Sequence, residues 1–157
     1  MGDSQPSPVS QAMKLTILED AAKRPEYFSW AGAIEPPVLD SWLAERGWNV
    51  PDDLKYFWSK TGGGDFFESE TIFAPFSDLW AHDSIDEVNR HQINRGIPKH
   101  YLPLHDGLRF SAVNLNTQKY MFLDENNYQV QEEFPSLEAW YVEGIRPEFV
   151  ERYSLAG

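Results

Sequence analysis

Residues 108–134 hold three short β-type runs separated by brief turns, and turns that short join only antiparallel neighbours. Arg109–Leu115 alternates, with Ser111, Val113 and Leu115 on one face. Asn116-Thr117 makes the first turn. Lys119–Asp124 follows, rich in Tyr120, Met121, Phe122 and Leu123. Glu125-Asn126-Asn127 turns the chain again into Tyr128–Phe134. A parallel sheet would need a crossover of about a dozen residues between strands, and none is present here. The meander therefore commits this half of the chain to an antiparallel sheet.

The flanking segments read as helices. Lys14–Arg24 spaces Leu15, Leu18 and Ala22 near helical period, although Lys14–Leu18 also fits a strand; Pro25 ends the segment. After Pro36-Pro37, the residues Val38, Leu39, Trp42 and Leu43 predict an apolar stripe that stops at Gly47. Pro51 opens another helix, with Asp52 and Asp53 at its positive end and Leu54, Phe57 and Trp58 inside. Thr61-Gly62-Gly63-Gly64 terminates it, and 65–74 is extended up to Pro75. Ser84-Ile85-Asp86-Glu87 has capping-box spacing for a helix reaching about Arg95, stopped by Gly96 and Pro98. The last helix begins at Ser136 and stripes Leu137, Trp140, Tyr141 and Ile145; Glu148–Tyr153 adds a helical turn. Helices, then strands, then a helix predict an α+β single domain over 14–157, an antiparallel β-sheet with helices packed against one side. Residues 1–13, rich in Ser, Pro and Gln, read as a disordered leader.

Composition narrows the partners. The chain has 25 acidic residues against 13 basic ones, a formal net charge of −12. Such a surface repels nucleic-acid phosphates and anionic membranes and attracts basic proteins. No run approaches the roughly 20 apolar residues that span a bilayer. The absence of cysteine excludes disulfides and thiolate metal sites and suits a cytoplasmic location.

No motif carries an enzymatic reading. Gly62-Gly63-Gly64 is followed by Asp65, where a phosphate loop needs Lys, and it follows a helix instead of preceding one. His82, His91, His100 and His105 show no i, i+4 pair, and His82-Asp83 and His105-Asp106 are adjacent pairs that point apart. There is no G-x-S-x-G elbow. Asp52/Asp53 is explained by helix-start electrostatics, and Glu68/Glu70 and Glu132/Glu133 fit solvated strand faces. The expectation is no catalytic residue, no metal and no cofactor.

What remains is a distribution. Residues 61–90 hold seven acids and one base, interleaved with Phe66, Phe67, Phe73, Phe76 and Trp80. Acids steer a basic partner while rings anchor it. An equally good reading puts the rings in the core and the acids in water. The residues expected to touch a partner are Asp65, Phe67, Glu68, Glu70, Trp80 and Asp83.

The run Trp48-Asn49-Val50-Pro51-Asp52-Asp53-Leu54-Lys55-Tyr56-Phe57, followed by Thr61-Gly62-Gly63-Gly64, resembles the SUKH superfamily. Ile97-Pro98, Leu102-Pro103-Leu104, Asp106-Gly107 and Phe134-Pro135-Ser136-Leu137-Glu138-Ala139-Trp140 are similar in the same order. The resemblance covers about residues 35–146; the two ends depart from it, as does Thr-Gly-Gly-Gly where Asn-Gly is frequent. It implies an α+β fold without a catalytic centre, with structural roles for Pro51, Leu54, Gly62, Gly63 and Trp140. Many bacterial members are immunity proteins that neutralise toxins, often nucleases; others are regulatory modules. The expectation is an inhibitor of a basic protein toxin, with a regulatory scaffold or an acidic DNA mimic as alternatives.

Overall fold

The computed structural model describes residues 13–76 and 84–156. The leader expected over 1–13 therefore lies, but for Met13, outside the described residues. One seven-stranded antiparallel sheet runs in chain order: β1 (Phe28–Trp30), β2 (Gly64–Phe66), β3 (Glu70–Ile72), β4 (Tyr101–Asp106), β5 (Phe110–Asn114), β6 (Tyr120–Leu123) and β7 (Val130–Phe134). The helices are α1 (Thr16–Lys23), α2 (Pro36–Arg46), α3 (Asp52–Thr61), α4 (Ile85–Arg95) and the short α5 (Leu137–Ala139). The α+β class and the expected meander of β5, β6 and β7 are present.

Local signals set the helix ends. α2 and α3 begin next to prolines and stop at Gly47 and Gly62. Ser84 sits at the start of α4 as its spacing predicts, but its side chain makes no cap; the Ile85 N–H is satisfied by the Ala74 carbonyl at 2.9 Å. Ser136 does cap α5, accepting the Ala139 N–H at 3.0 Å. The chain then widens into a π-helical segment, Trp140–Ile145, which keeps Trp140, Tyr141 and Ile145 buried. Leu54, Phe57 and Trp58 of α3 are all inaccessible to water. Val38, expected inside, is 52% exposed, because the buried stripe of α2 is Leu39, Trp42 and Leu43.

Helices cover both faces of the sheet, not one. Residues paired across strands share a face, and neighbours along a strand take opposite faces. Ser111 receives Trp140 Nε1–H from the last helix, while Phe110 faces the side that carries Val88 and Gln92 of α4. This explains why every residue of β5 and β6 is buried. It also explains why the alternation expected for Ser111, Val113 and Leu115 does not separate inside from outside.

Asp53 ties three elements together. It lies in the first turn of α3, as expected for an acid at a helix start. Its carboxylate also accepts from the Tyr120 hydroxyl of β6 and, at 2.8 Å, from the Leu137 N–H that opens α5. The ends are stitched similarly. Buried Asp20 of α1 accepts from the Tyr141 hydroxyl at 2.6 Å and from Arg146 Nε at 2.8 Å. Burial, then the hydrogen bond to Asp20, pushes the Tyr141 phenol far above its ordinary range.

Candidate functional site

The expected contact residues divide sharply. β2 and β3 form a hairpin whose turn, Phe67-Glu68-Ser69, places Phe67 and Glu68 at positive φ, 52° and 67°. This backbone rolls Phe67 inward. Its ring is fully buried, stacked on Phe149 at 4.7 Å and Tyr153 at 5.2 Å. Glu68 stays exposed and accepts from the Tyr153 hydroxyl at 2.6 Å. Asp65 is half-buried and accepts from Thr71 Oγ1 at 2.7 Å. Glu70 is 1% exposed. Phe67 and Glu70 are thus corrected from surface contacts to core residues, and Glu68/Glu70 is no solvated pair. Trp80 and Asp83 lie outside the described residues.

Glu70 is inside because a distant residue satisfies it. Its Oε1 meets His105 Nε2 at 2.7 Å, and His105 Nδ1 meets Ser111 Oγ at 2.9 Å. Trp140 Nε1–H donates to the same Ser111 oxygen at 2.9 Å. Glu70 Oε2 also accepts from Ser69 Oγ and from the Leu108 N–H. Donor counting assigns the tautomer. If His105 is neutral and carries its proton on Nε2, Trp140 donates to Ser111, Ser111 to His105 and His105 to Glu70, with no group left over. His105-Asp106 belongs to β4, and its side chains do point apart: His105 inward and Asp106 to solvent.

This chain has the composition of a carboxylate–imidazole–hydroxyl triad but is built as a clamp. Glu70, His105 and Ser111 are at most 1% exposed, and the Ser111 oxygen is occupied by Trp140, so a substrate has no approach to it in this arrangement. Gly107 is part of the clamp, since a Cβ there would collide with the Glu70 carboxylate.

Burial pushes the Glu70 carboxyl up, but the hydrogen bonds it accepts from His105, Ser69 and the Leu108 N–H outweigh it and hold the group below its ordinary value of 4.5. A carboxyl lowered on folding stabilises the fold above the unfolded-state value, and that stabilisation is lost as pH falls through the folded-state value. Acid titration of stability should therefore show a loss below pH 4.5 that Glu70→Gln flattens, read as urea midpoints between pH 3 and 6. An identical acid limb in the variant would remove Glu70 as its source.

A second arrangement faces water. Ser29 pairs with Asp65, Asp65 with Thr71, Thr71 with Asp106 and Asp106 with Phe110, so these residues form one row across five strands on a single face. α4 covers the Phe110 end. Asp106 and Ser29 are exposed, and Asp65 and Thr71 are half-exposed. Where this face meets α4 there is a groove of about 470 Å³ lined by Phe73, Glu87, His91, Arg95, Asp106 and Glu125, among others. Asp65, Asp106, Glu87 and Glu125 thus give one side of the protein four carboxylates, tempered by His91 and Arg95. Asp106 and Glu125 escaped the sequence reading because both lie outside the acid-rich stretch 61–90; only strand register brings Asp106 onto the same face as Asp65, with Thr71 between them.

Among the described residues, no group of three or more His, Cys, Asp or Glu side chains converges as a metal site, and no helix is long and apolar enough to cross a membrane.

Comparison with known proteins places the chain. A crystal structure of a protein from Pseudomonas syringae pv. tomato superposes with a TM-score of 0.62 at 16% identity, covering 82% of this chain and 96% of that one. At that identity the likeness establishes the fold alone. No curated protein matches. The sequence model of the SMI1 / KNR4 family (SUKH-1) matches residues 38–143, from within α2 through strands β2 to β7 into the π-helical segment. That span holds the Pro-Asp-Asp helix start, the glycine stop, the meander and the capped last helix in their order, and by it the chain belongs to the SMI1 / KNR4 family (SUKH-1).

Proposed function

We propose that this protein is an immunity-type inhibitor that acts in the cytoplasm by binding a cognate basic toxin, without catalysis, cofactor or nucleic acid. Family membership is consistent with toxin immunity. The observation that carries the finer reading is the open sheet face, where Asp65 and Asp106 stand in register beside a groove edged by Glu87 and Glu125. Toxins that cleave nucleic acid need basic surfaces to hold phosphate, so an acidic face of this kind complements them in charge. We assign the contact to Asp65 and Asp106 at its centre and to Glu68 at the β2–β3 turn, with Trp80 and Asp83 retained from the sequence as further members.

The test is capture from the source organism's lysate, washed at low and high salt, followed by calorimetry with the recovered partner. One basic protein surviving high salt is expected, because tight burial outlasts charge screening. The triple variant Asp65→Lys, Glu68→Lys, Asp106→Lys should weaken its binding by about a hundredfold. Unchanged affinity in a folded triple variant sinks the site. Several partners, all lost at high salt, would favour a regulatory module instead.

A further inference from the structure

The sheet ends at β7, and β7 is unlike the other strands. Val130, Gln131, Glu132 and Glu133 are four consecutive exposed residues, and β6 is the only strand that pairs with them among the described residues. Among the described residues, the outer side of β7 therefore has no strand against its backbone donors and acceptors, the template for another strand. The register shifts between Phe122 and Leu123: Phe122 pairs with Glu132 and Leu123 with Val130, leaving Gln131 as an extra residue. Arg109 fixes that bulge, donating to Gln131 Oε1 at 2.9 Å while its guanidinium lies 4.2 Å from the Phe122 ring centroid. The nearby cation thus lies over β6 and reaches β7 at Gln131.

Charge decides what can use this edge. Glu132 pairs with Phe122 and Glu133 with Met121, so the two acids flank the edge on opposite faces. From Lys119 to Phe134 the hairpin carries Asp124, Glu125, Glu132 and Glu133 against Lys119 alone. Two copies meeting β7 to β7 about a twofold axis would set these glutamates against each other, and like charges directly across a ladder destabilise it. A strand bearing two consecutive basic residues meets the opposite situation, with one cation over each glutamate and a small apolar residue over Val130.

We propose that β7 accepts an extended basic segment of a partner protein as an eighth, antiparallel strand. This stands apart from the toxin reading, because it requires only a strand of that chemistry and concerns a different edge of the molecule from Asp65 and Asp106.

The probe is a capped hexapeptide, Thr-Lys-Arg-Thr-Val-Thr, titrated into the full-length isotope-labelled chain. Two controls accompany it: the same peptide with Glu in place of Lys and Arg, and the basic peptide methylated on alternate backbone nitrogens. The expected result is chemical-shift change and slowed amide exchange confined to residues 130–134 and their β6 partners. Methylation should weaken binding by about tenfold or more, because it removes ladder hydrogen bonds and leaves the charge. Glu132→Lys with Glu133→Lys should weaken it by about tenfold, and the milder Glu132→Gln with Glu133→Gln by less. The inference is overturned if the methylated peptide binds equally well, if the shifts fall on the Asp65–Asp106 face, if no shift occurs in a folded chain, or if sedimentation shows the free chain already paired through β7 with its own copy.

Discussion

Replacing Trp140 with alanine is expected to destabilise the protein severely. The indole is fully buried, and it closes the clamp by donating to Ser111 while lying edge-on to His105 at 5.1 Å. Truncating a buried Trp to Ala costs about 3–5 kcal/mol. A domain of this size is stable by only about 5–15 kcal/mol, so the loss is a large fraction of the total. Trp140→Phe separates the two contributions. It keeps most of the ring volume but removes the donor to Ser111, and should cost about 1–2 kcal/mol. Equilibrium urea denaturation of the pair decides the matter. Equal losses for Ala and Phe would mean that the hydrogen bond, not the packing, holds the last helix on the sheet.

The helices were readable because their signals are local. Prolines at the starts of α2 and α3 and glycines at their ends act within a few residues, so the expected limits agree with the observed ones. β4 was not read as a strand, and Pro103 lies in it. A proline is tolerated there because the register between β4 and β5 shifts at Pro103/His105, where the ladder is already interrupted. β1 is three residues long, too short for any periodicity to register. The layering was misjudged for a different reason. A strand covered on both faces shows no polar alternation, so the sequence of β5 and β6 cannot reveal that α4 lies on the far side.

The site was less legible than the fold. Glu68 is exposed and Asp65 half-exposed, but Glu70 has the same chemistry two residues after Glu68 and is buried. Its partner His105 is 35 residues away, and nothing local announces that pairing. Phe67 followed its rings into the core through a turn of two positive-φ residues with no glycine to signal it. Asp106 shows the converse: an isolated acid in sequence comes to share a face with Asp65, across Thr71, only through the register of β2, β3 and β4. A contact surface made by strand pairing is a property of the folded sheet, and composition counts along the chain sample it poorly.

Gly64→Ala should separate backbone conformation from steric closeness. Gly64 has φ +145°, a region that L residues rarely adopt, and a Cβ built there would overlap the Ser29 carbonyl oxygen and reach Trp30 Cα at 2.9 Å. Both obstacles are the backbone of β1, which pairs Trp30 with Gly64, so relief requires β1 to leave the sheet. The cost is expected to be at least about 3 kcal/mol, combining strained backbone with a lost strand pairing. Gly47, at the end of α2, provides the comparison: its φ is +68°, but a Cβ there meets nothing within 4 Å. Gly47→Ala should therefore cost only the left-handed penalty, about 1 kcal/mol. The measurement is the difference in unfolding free energy between the two variants. It should be read together with amide exchange at Phe28–Trp30, which should become fast in Gly64→Ala alone. If both variants lose about 1 kcal/mol and β1 stays protected, the glycine run serves only to turn the chain after α3, and the close approach of β1 to β2 does not depend on it.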